Sequence, residues 1–319
     1  MKVLVIGGSG FIGAQVVRQL VEAGHSVASF QRSPTPAHPP DSVVIQGERQ
    51  RLSEFTARFQ SFAPQVVVDM IAYNAREARS TLETFRGLAQ RSVVASSMDV
   101  YQAYGRFIRL EPGPPSPQGL SEDSPLRKTR FPYRAMARSP DELFHDYDKI
   151  PVEEVVMSDP RLPGTVLRLP GVFGPQDKQH RLADYLGRMD EGEDILLDDP
   201  RARWRWTRDY VENVAAAIVL ATTLERAAGR IYNVGPSWAQ SEEEWIRSIG
   251  QVAGWKGHLA ILPSESVPED PEAPYDWHHP LIADTRRIHE ELGYQRRVPL
   301  PMALERTIAW ERTQRPGRE

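Results

Sequence analysis

The 319-residue chain contains no cysteine, so disulfides, thiolate nucleophiles and cysteine-ligated zinc are all excluded. It has no run of 18 or more apolar residues, and Met1 leads straight into an apolar strand pattern with no basic n-region or cleavable apolar segment. The expected location is therefore the cytoplasm. There is no basic excess either: the formal net charge is −4, which argues against nucleic acid or an anionic membrane as the main partner. A small molecule is the expected ligand. No metal motif is present, and the adjacent His278 and His279 lack further ligands at a defined spacing, so they read as a loop pair.

What the chain does have begins at its second residue. Lys2 to Ile6 is a short β-branched run suited to a parallel strand buried on both faces, and glycines end it. Gly8, Gly10 and Gly13 fit G-x-G-x-x-G, in which the glycines permit a tight turn, close approach to a pyrophosphate and close helix–strand packing. Val16, Val17, Leu20 and Val21 then follow helical spacing, and Gly24 suits the helix end. A helix N-terminus thus faces the loop and can hold phosphate. Gly7, Gly8, Ser9, Gly10, Phe11, Ile12 and Gly13 are the first candidate dinucleotide ligands.

A second strand is expected over Ser26 to Phe30, where an acidic residue at the end would bind a ribose 2′-hydroxyl and an arginine would accommodate a 2′-phosphate. Here Gln31, Arg32 and Ser33 open the proline-rich loop that runs to Pro40, with no acid before Asp41. This favours NADP over NAD, with Arg32 and Ser33 as phosphate ligands; the alternative is a solvated loop arginine.

Strands are expected over 42–46, 65–70, 92–95 and 165–169, alternating with helices over 52–61 and 76–90. The alternation predicts an α/β fold with a Rossmann-type, doubly wound parallel sheet whose ligand lies beyond the strands' carboxyl ends. Ile71 and Ala72 are candidate cofactor contacts on that ground, as is Pro170 after the 165–169 strand. Residues 110–132 read as a long loop or lid, 170–175 as a rigid turn, and 264–280 as a proline-rich acidic loop. Helices are expected over 211–224, 242–253 and 301–312, with a strand and turn at 230–235. Arg168 reads as a strand-packing residue or half of a buried ion pair.

Five ordered segments resemble the extended short-chain dehydrogenase/reductase superfamily, in particular its NAD-dependent epimerases and dehydratases. They are Val5 to Gly13, Val94 to Tyr101, Val166 to Pro175, Arg208 to Ala215 and Ile231 to Gly235; Asp284 to Ile288 with Glu291 to Tyr294 resembles the family's C-terminal lobe. The resemblance implies a dinucleotide-binding domain over 1–170 and a smaller, mixed α/β substrate lobe over 171–319, with elements near 205–235 returning to the first domain. It also leaves a homodimer open.

The resemblance further implies a Ser or Thr with Tyr-x-x-x-Lys, the tyrosine acting as acid/base and the lysine lowering its pKa and binding the nicotinamide ribose. Ser97 matches the serine and Lys149 the lysine, but His145 stands where the tyrosine is expected. His145, Tyr147 and Tyr133 therefore share the acid/base candidacy. Residues two apart on a helix point about 200° apart, so a wholly helical segment would separate Tyr147 from Lys149; Pro151 instead suits a helix that begins near Lys149. Tyr101, Trp204 and Arg205 are the candidate substrate contacts, with Trp206 beside them suited to a nucleotide diphosphate. Two functions are expected from this: an NAD(P)-linked oxidoreductase or epimerase acting by hydride transfer on a sugar-like substrate, or a regulatory or structural NADP-binding protein that has lost the reaction with the tyrosine.

Overall fold

The computed structural model describes residues 1–33, 39–116, 119–264 and 275–314. Residues 34–38 of the proline-rich loop and most of the acidic loop, 265–274, lie outside that description. The chain opens with β1 (Lys2–Ile6), α1 (Phe11–Glu22), β2 (Ser26–Gln31), β3 (Val43–Gln46), α2 (Thr56–Phe62), β4 (Val66–Asp69), α3 (Ala75–Phe85) and β5 (Arg91–Ser97). It continues through α4 (Gln102–Phe107), α5 (Leu143–Asp146), α6 (Lys149–Val156), β6 (Gly164–Leu169) and β7 (Gly171–Phe173). The remaining elements are α7 (Ala183–Asp190), β8 (Ile195–Asp198), α8 (Asp199–Arg203), β9 (Arg208–Tyr210), α9 (Val211–Thr223), β10 (Ile231–Asn233), α10 (Glu242–Ala253), β11 (Leu259–Leu262), α11 (Arg286–Leu292) and α12 (Leu300–Gln314).

Seven strands form one parallel sheet in the order β10-β6-β5-β4-β1-β2-β3. Val3 to Ile6 and Val66 to Val68 are fully buried, as strands covered by helices on both faces require. The chain leaves β1 toward β2 and returns past it to β4, so the winding reverses there and opens a crevice at the carboxyl edge. Two-stranded parallel sheets, β7–β9 and β8–β11, belong to the C-terminal half.

Two local readings change. Residues 170–175 hold a short strand, β7, because Gly171 to Phe173 pair with Arg208 to Tyr210. The helix expected over 52–61 is a 3₁₀ stretch, Arg49–Phe55, followed by α2. No described helix is long and apolar enough to cross a membrane.

Candidate active site

The glycine turn is built on Gly7 rather than Gly8. Gly7 has φ +84°, its carbonyl accepts from Gly10 N at 3.0 Å, and a Cβ there would lie 2.8 Å from Ile71. Only a residue without Cβ adopts that conformation at no steric cost. Gly8 packs tightly instead, since a Cβ would overlap Ser29 Oγ, and a Cβ on Gly13 would overlap the Gly7 carbonyl oxygen. Gly10 caps α1 without a side-chain hydrogen bond, which leaves the first-turn N–H groups to an outside acceptor.

Beside this turn lies an open cavity of about 510 Å³ lined by Ser9, Arg32, Ser33, Gln46, Gly47 and Glu48. Ser29 Oγ donates to Gln31 Oε1 at 2.6 Å and Gln31 Nε2 donates to the Ser33 carbonyl at 3.0 Å. The buried Gln31 therefore fixes the backbone at the end of β2, while Arg32 and Ser33 stay exposed on the rim. The glycine cradle, the uncapped helix end and the cavity together fit a dinucleotide.

Further along the same edge, Lys149 is buried and its Nζ donates to the Ala72 and Ala95 carbonyls, each at 2.8 Å. Burial pulls its pKa down to about 8, with Asp69 and Asp99 opposing the shift. Lys149 is the first residue of α6, capped by Asp148, whose Oδ1 accepts from Ile150 N at 3.1 Å. Asp148 also accepts from Arg127 and from Phe131 N, and its own N–H donates to the Tyr73 carbonyl. These bonds hold Tyr147 outside any helix, at φ −67° and ψ 119°. The helical separation of Tyr147 from Lys149 consequently does not arise, and Lys149 Nζ lies 5.8 Å from the Tyr147 ring centroid.

The Tyr147 hydroxyl donates to Asp99 Oδ2 at 2.9 Å, and the Tyr133 hydroxyl reaches the same oxygen at 3.1 Å. Tyr133 also reaches the Tyr104 hydroxyl at 2.9 Å. Ser97 Oγ accepts from Asp99 N at 3.1 Å, and its hydroxyl opposes the upward shift of the nearby Tyr147 phenol. Desolvation, then the negative charge of Asp99, raises the pKa of Tyr147 and Tyr133 well above the ordinary phenol value. Desolvation likewise raises the Asp99 carboxyl, whose Oδ1 is buried without a partner. A neutral phenol beside an ammonium and a serine hydroxyl can protonate a carbonyl oxygen or polarise an alcohol.

Other expected site residues fall elsewhere. His145 bonds Asp146 through Nδ1 at 2.8 Å on α5 and shows no bond to the Ser97–Tyr147 cluster. Tyr101 is fully buried, its hydroxyl engaged by Asn233 and Arg168, so it is closed to substrate. Trp204 is buried, stacked on Phe107 at 4.8 Å with Nε1 donating to the His279 carbonyl; it belongs to the core. Arg205 donates to the Ala239 carbonyl and pairs with Glu244, bracing a loop. Pro170 is buried at the end of β6, beside Gly235. Asp99 escaped the sequence reading, although it stands two residues past Ser97; a lone acid after a strand gives no sign of burial.

The chain is 26% identical over 281 residues to a 2′-dehydrokanamycin reductase of Streptomyces kanamyceticus, covering 85% of this chain and 72% of that protein. It is 24% identical to a dTDP-glucose 4,6-dehydratase of an Actinoplanes species, covering 99% of both. The fold matches the crystal structure of UDP-glucuronic acid 4-epimerase from Bacillus cereus, in complex with UDP-glucuronic acid and NAD, with a TM-score of 0.68 at 19% identity, covering 99% of this chain and 100% of that one. Residues 3–235 match the NAD dependent epimerase/dehydratase family across the turn, the Ser97 strand, Lys149 and β10. This chain is a member of that family, an enzyme of the extended short-chain dehydrogenase/reductase type.

Proposed function

We propose that the enzyme works on a hydroxyl or carbonyl of a sugar-like small molecule, with Tyr147 as the acid/base in place of the tyrosine absent at 145. The observation that carries this reading is the Tyr147 phenol, held between Asp99, Ser97 and the Lys149 ammonium. When bound, a nicotinamide dinucleotide supplies or accepts the hydride. Tyr147 gives its proton to the substrate oxygen or takes it back. Ser97 orients that oxygen, and Lys149 both binds the ribose and stabilises the phenolate by its charge.

The same proposal assigns NADP as the cofactor, with Arg32 and Ser33 on the 2′-phosphate and residues 7–13, Ile71, Ala72 and Pro170 along the dinucleotide. Gln31, engaged with Ser29 and Ser33, occupies the strand end where an acid would select NAD. Residues 1–170 form the dinucleotide-binding part and 171–319 mainly the substrate lobe. The sugar-like substrate is supported by the names of the reductase, dehydratase and epimerase to which the chain is similar. A cytoplasmic homodimer is the proposed setting, with light scattering as the measurement of its mass.

The test is NADPH oxidation with a panel of keto-sugars, followed by nicotinamide absorbance. Tyr147→Phe is expected to lose at least about 10²-fold in turnover with NADPH binding retained, while His145→Ala keeps its turnover. The opposite pattern would assign the proton to His145 and overturn the reading.

A further inference from the structure

The segment that carries β4 into α3 runs along the dinucleotide crevice. Ile71 packs on Gly7, where a Cβ would lie 2.8 Å from it, and the half-buried Tyr73 follows two residues later. The Tyr73 backbone is held on both sides: its N–H donates to Glu77 Oε2 at 2.7 Å, and its carbonyl accepts from Asp148 N at 3.0 Å. The first turn of α3 and the cap of α6 thus fix the point from which this side chain projects.

Both ends of the crevice act on that side chain. Lys149 Nζ lies 4.9 Å from the Tyr73 ring centroid, within cation–π range. The charge of Arg32, on the rim of the cavity beside Ser9, acts on the same phenol. The hydroxyl oxygen lies a ring radius and one C–O bond from the centroid, so it sits within one ribose-phosphate length of Nζ.

The hydroxyl itself is unused. Among the described residues it has no hydrogen-bond partner, and it is not one of the atoms closed to solvent. The two nearby carboxylates are engaged elsewhere: Asp69 pairs with Arg49 at 2.8 Å, and Glu77 accepts the Tyr73 N–H. Burial, then the charges of Glu77 and Asp69, raises the phenol pKa, so the group is protonated at neutral pH and available as a donor. An open donor on a side chain whose backbone is fixed is set for an acceptor brought by a ligand, and a phosphate oxygen is a strong one.

We propose that Tyr73 is a dinucleotide-binding residue whose hydroxyl donates to the ribose 5′-phosphate of the nicotinamide half. The proposal rests on the reading of Lys149 as the ribose ligand and extends it: Lys149 takes the sugar hydroxyls and Tyr73 the phosphate of the same nucleotide.

The test is calorimetric titration of the full chain with NADPH and NADH, and with 2′,5′-ADP and AMP, which lack the nicotinamide half. Tyr73→Phe keeps the ring and both backbone bonds. It is expected to weaken both dinucleotides about tenfold and to leave the adenosine fragments unchanged. Unchanged dinucleotide affinity in Tyr73→Phe, or an equal loss for the fragments, overturns the assignment. Lys149→Met is titrated in parallel: a loss there with none in Tyr73→Phe overturns the Tyr73 proposal alone, whereas no loss in either overturns the Lys149 reading with it. Turnover is not measured, so the outcome is distinct from a failure of the Tyr147 assignment.

Discussion

Tyr147 and Asp99 share a hydrogen bond of 2.9 Å, formed by residues 48 apart in sequence, with the phenol donating to a carboxylate that is itself 5% exposed. Tyr133 donates to the same oxygen, so one carboxylate organises two phenols.

The first prediction follows from that sharing. A nearby carboxylate repels a phenolate, and it raises both tyrosines in addition to the larger effect of their burial. Asp99→Asn removes the charge and keeps the shape. Ultraviolet difference titration is expected to show tyrosinate forming at lower pH in the variant; an unchanged titration would mean that Asp99 does not govern the phenols.

Arg32 supplies the second. Its side chain stands exposed at the rim of the cavity beside Ser9 and Ser33, where a 2′-phosphate would meet it. Losing one charge-assisted contact of about 1.5–3 kcal/mol is expected to weaken NADPH about 10- to 100-fold in Arg32→Ala and to leave NADH nearly unchanged. Calorimetric titration with both dinucleotides gives the ratio, and a constant ratio excludes the role.

Lys149 links catalysis to stability. Burial lowers its pKa from 10.5 to about 8, so between those values the unfolded chain binds more protons at this site than the folded one. This site's contribution to stability therefore rises with pH across that window. Wild type is expected to gain stability relative to Lys149→Met from about pH 8 to 10.5, measured by urea unfolding at several pH values. A gap that stays level or closes the other way would contradict the buried ammonium.

Below the site, Arg168 and Glu153 pair at 2.8 Å with side chains 2% and 5% exposed, and Ser96 also donates to Glu153. Removing one partner strands a buried charge, so Glu153→Gln is expected to cost about 3–5 kcal/mol in urea unfolding. The double variant Glu153→Gln with Arg168→Met is expected to recover part of that loss, since no uncompensated guanidinium remains. Equal or greater loss in the double variant would show that Arg168 acts through Tyr101 and Glu122 instead.

Much of the architecture is written locally. The β-branched run before Gly7, the helical spacing after Gly13 and the absence of an acid at the end of β2 are each short-range patterns. Periods of 2 and 3.6 residues, with glycine and proline as punctuation, specify strands and helices without reference to distant parts of the chain. The opening turn shows the limit of this: spacing alone selected Gly8 as its first glycine, while the positive φ belongs to Gly7, because the Phe30 carbonyl and Ile71 fix the backbone there.

The site's chemistry was decided otherwise. Tyr147 reaches Asp99 because Asp148 is held by Arg127, Phe131 and Tyr73, which starts α6 at Lys149 and keeps the tyrosine extended. Trp204 and Tyr101 were removed from the substrate site by packing against Phe107 and by bonds to Asn233 and Arg168. Thus the sequence by itself determined that this protein winds strands and helices around a dinucleotide turn. Only the tertiary structure decided which phenol faces which acid and which indoles stay open, because burial and hydrogen-bond partners depend on residues tens of positions away, and no local period encodes them.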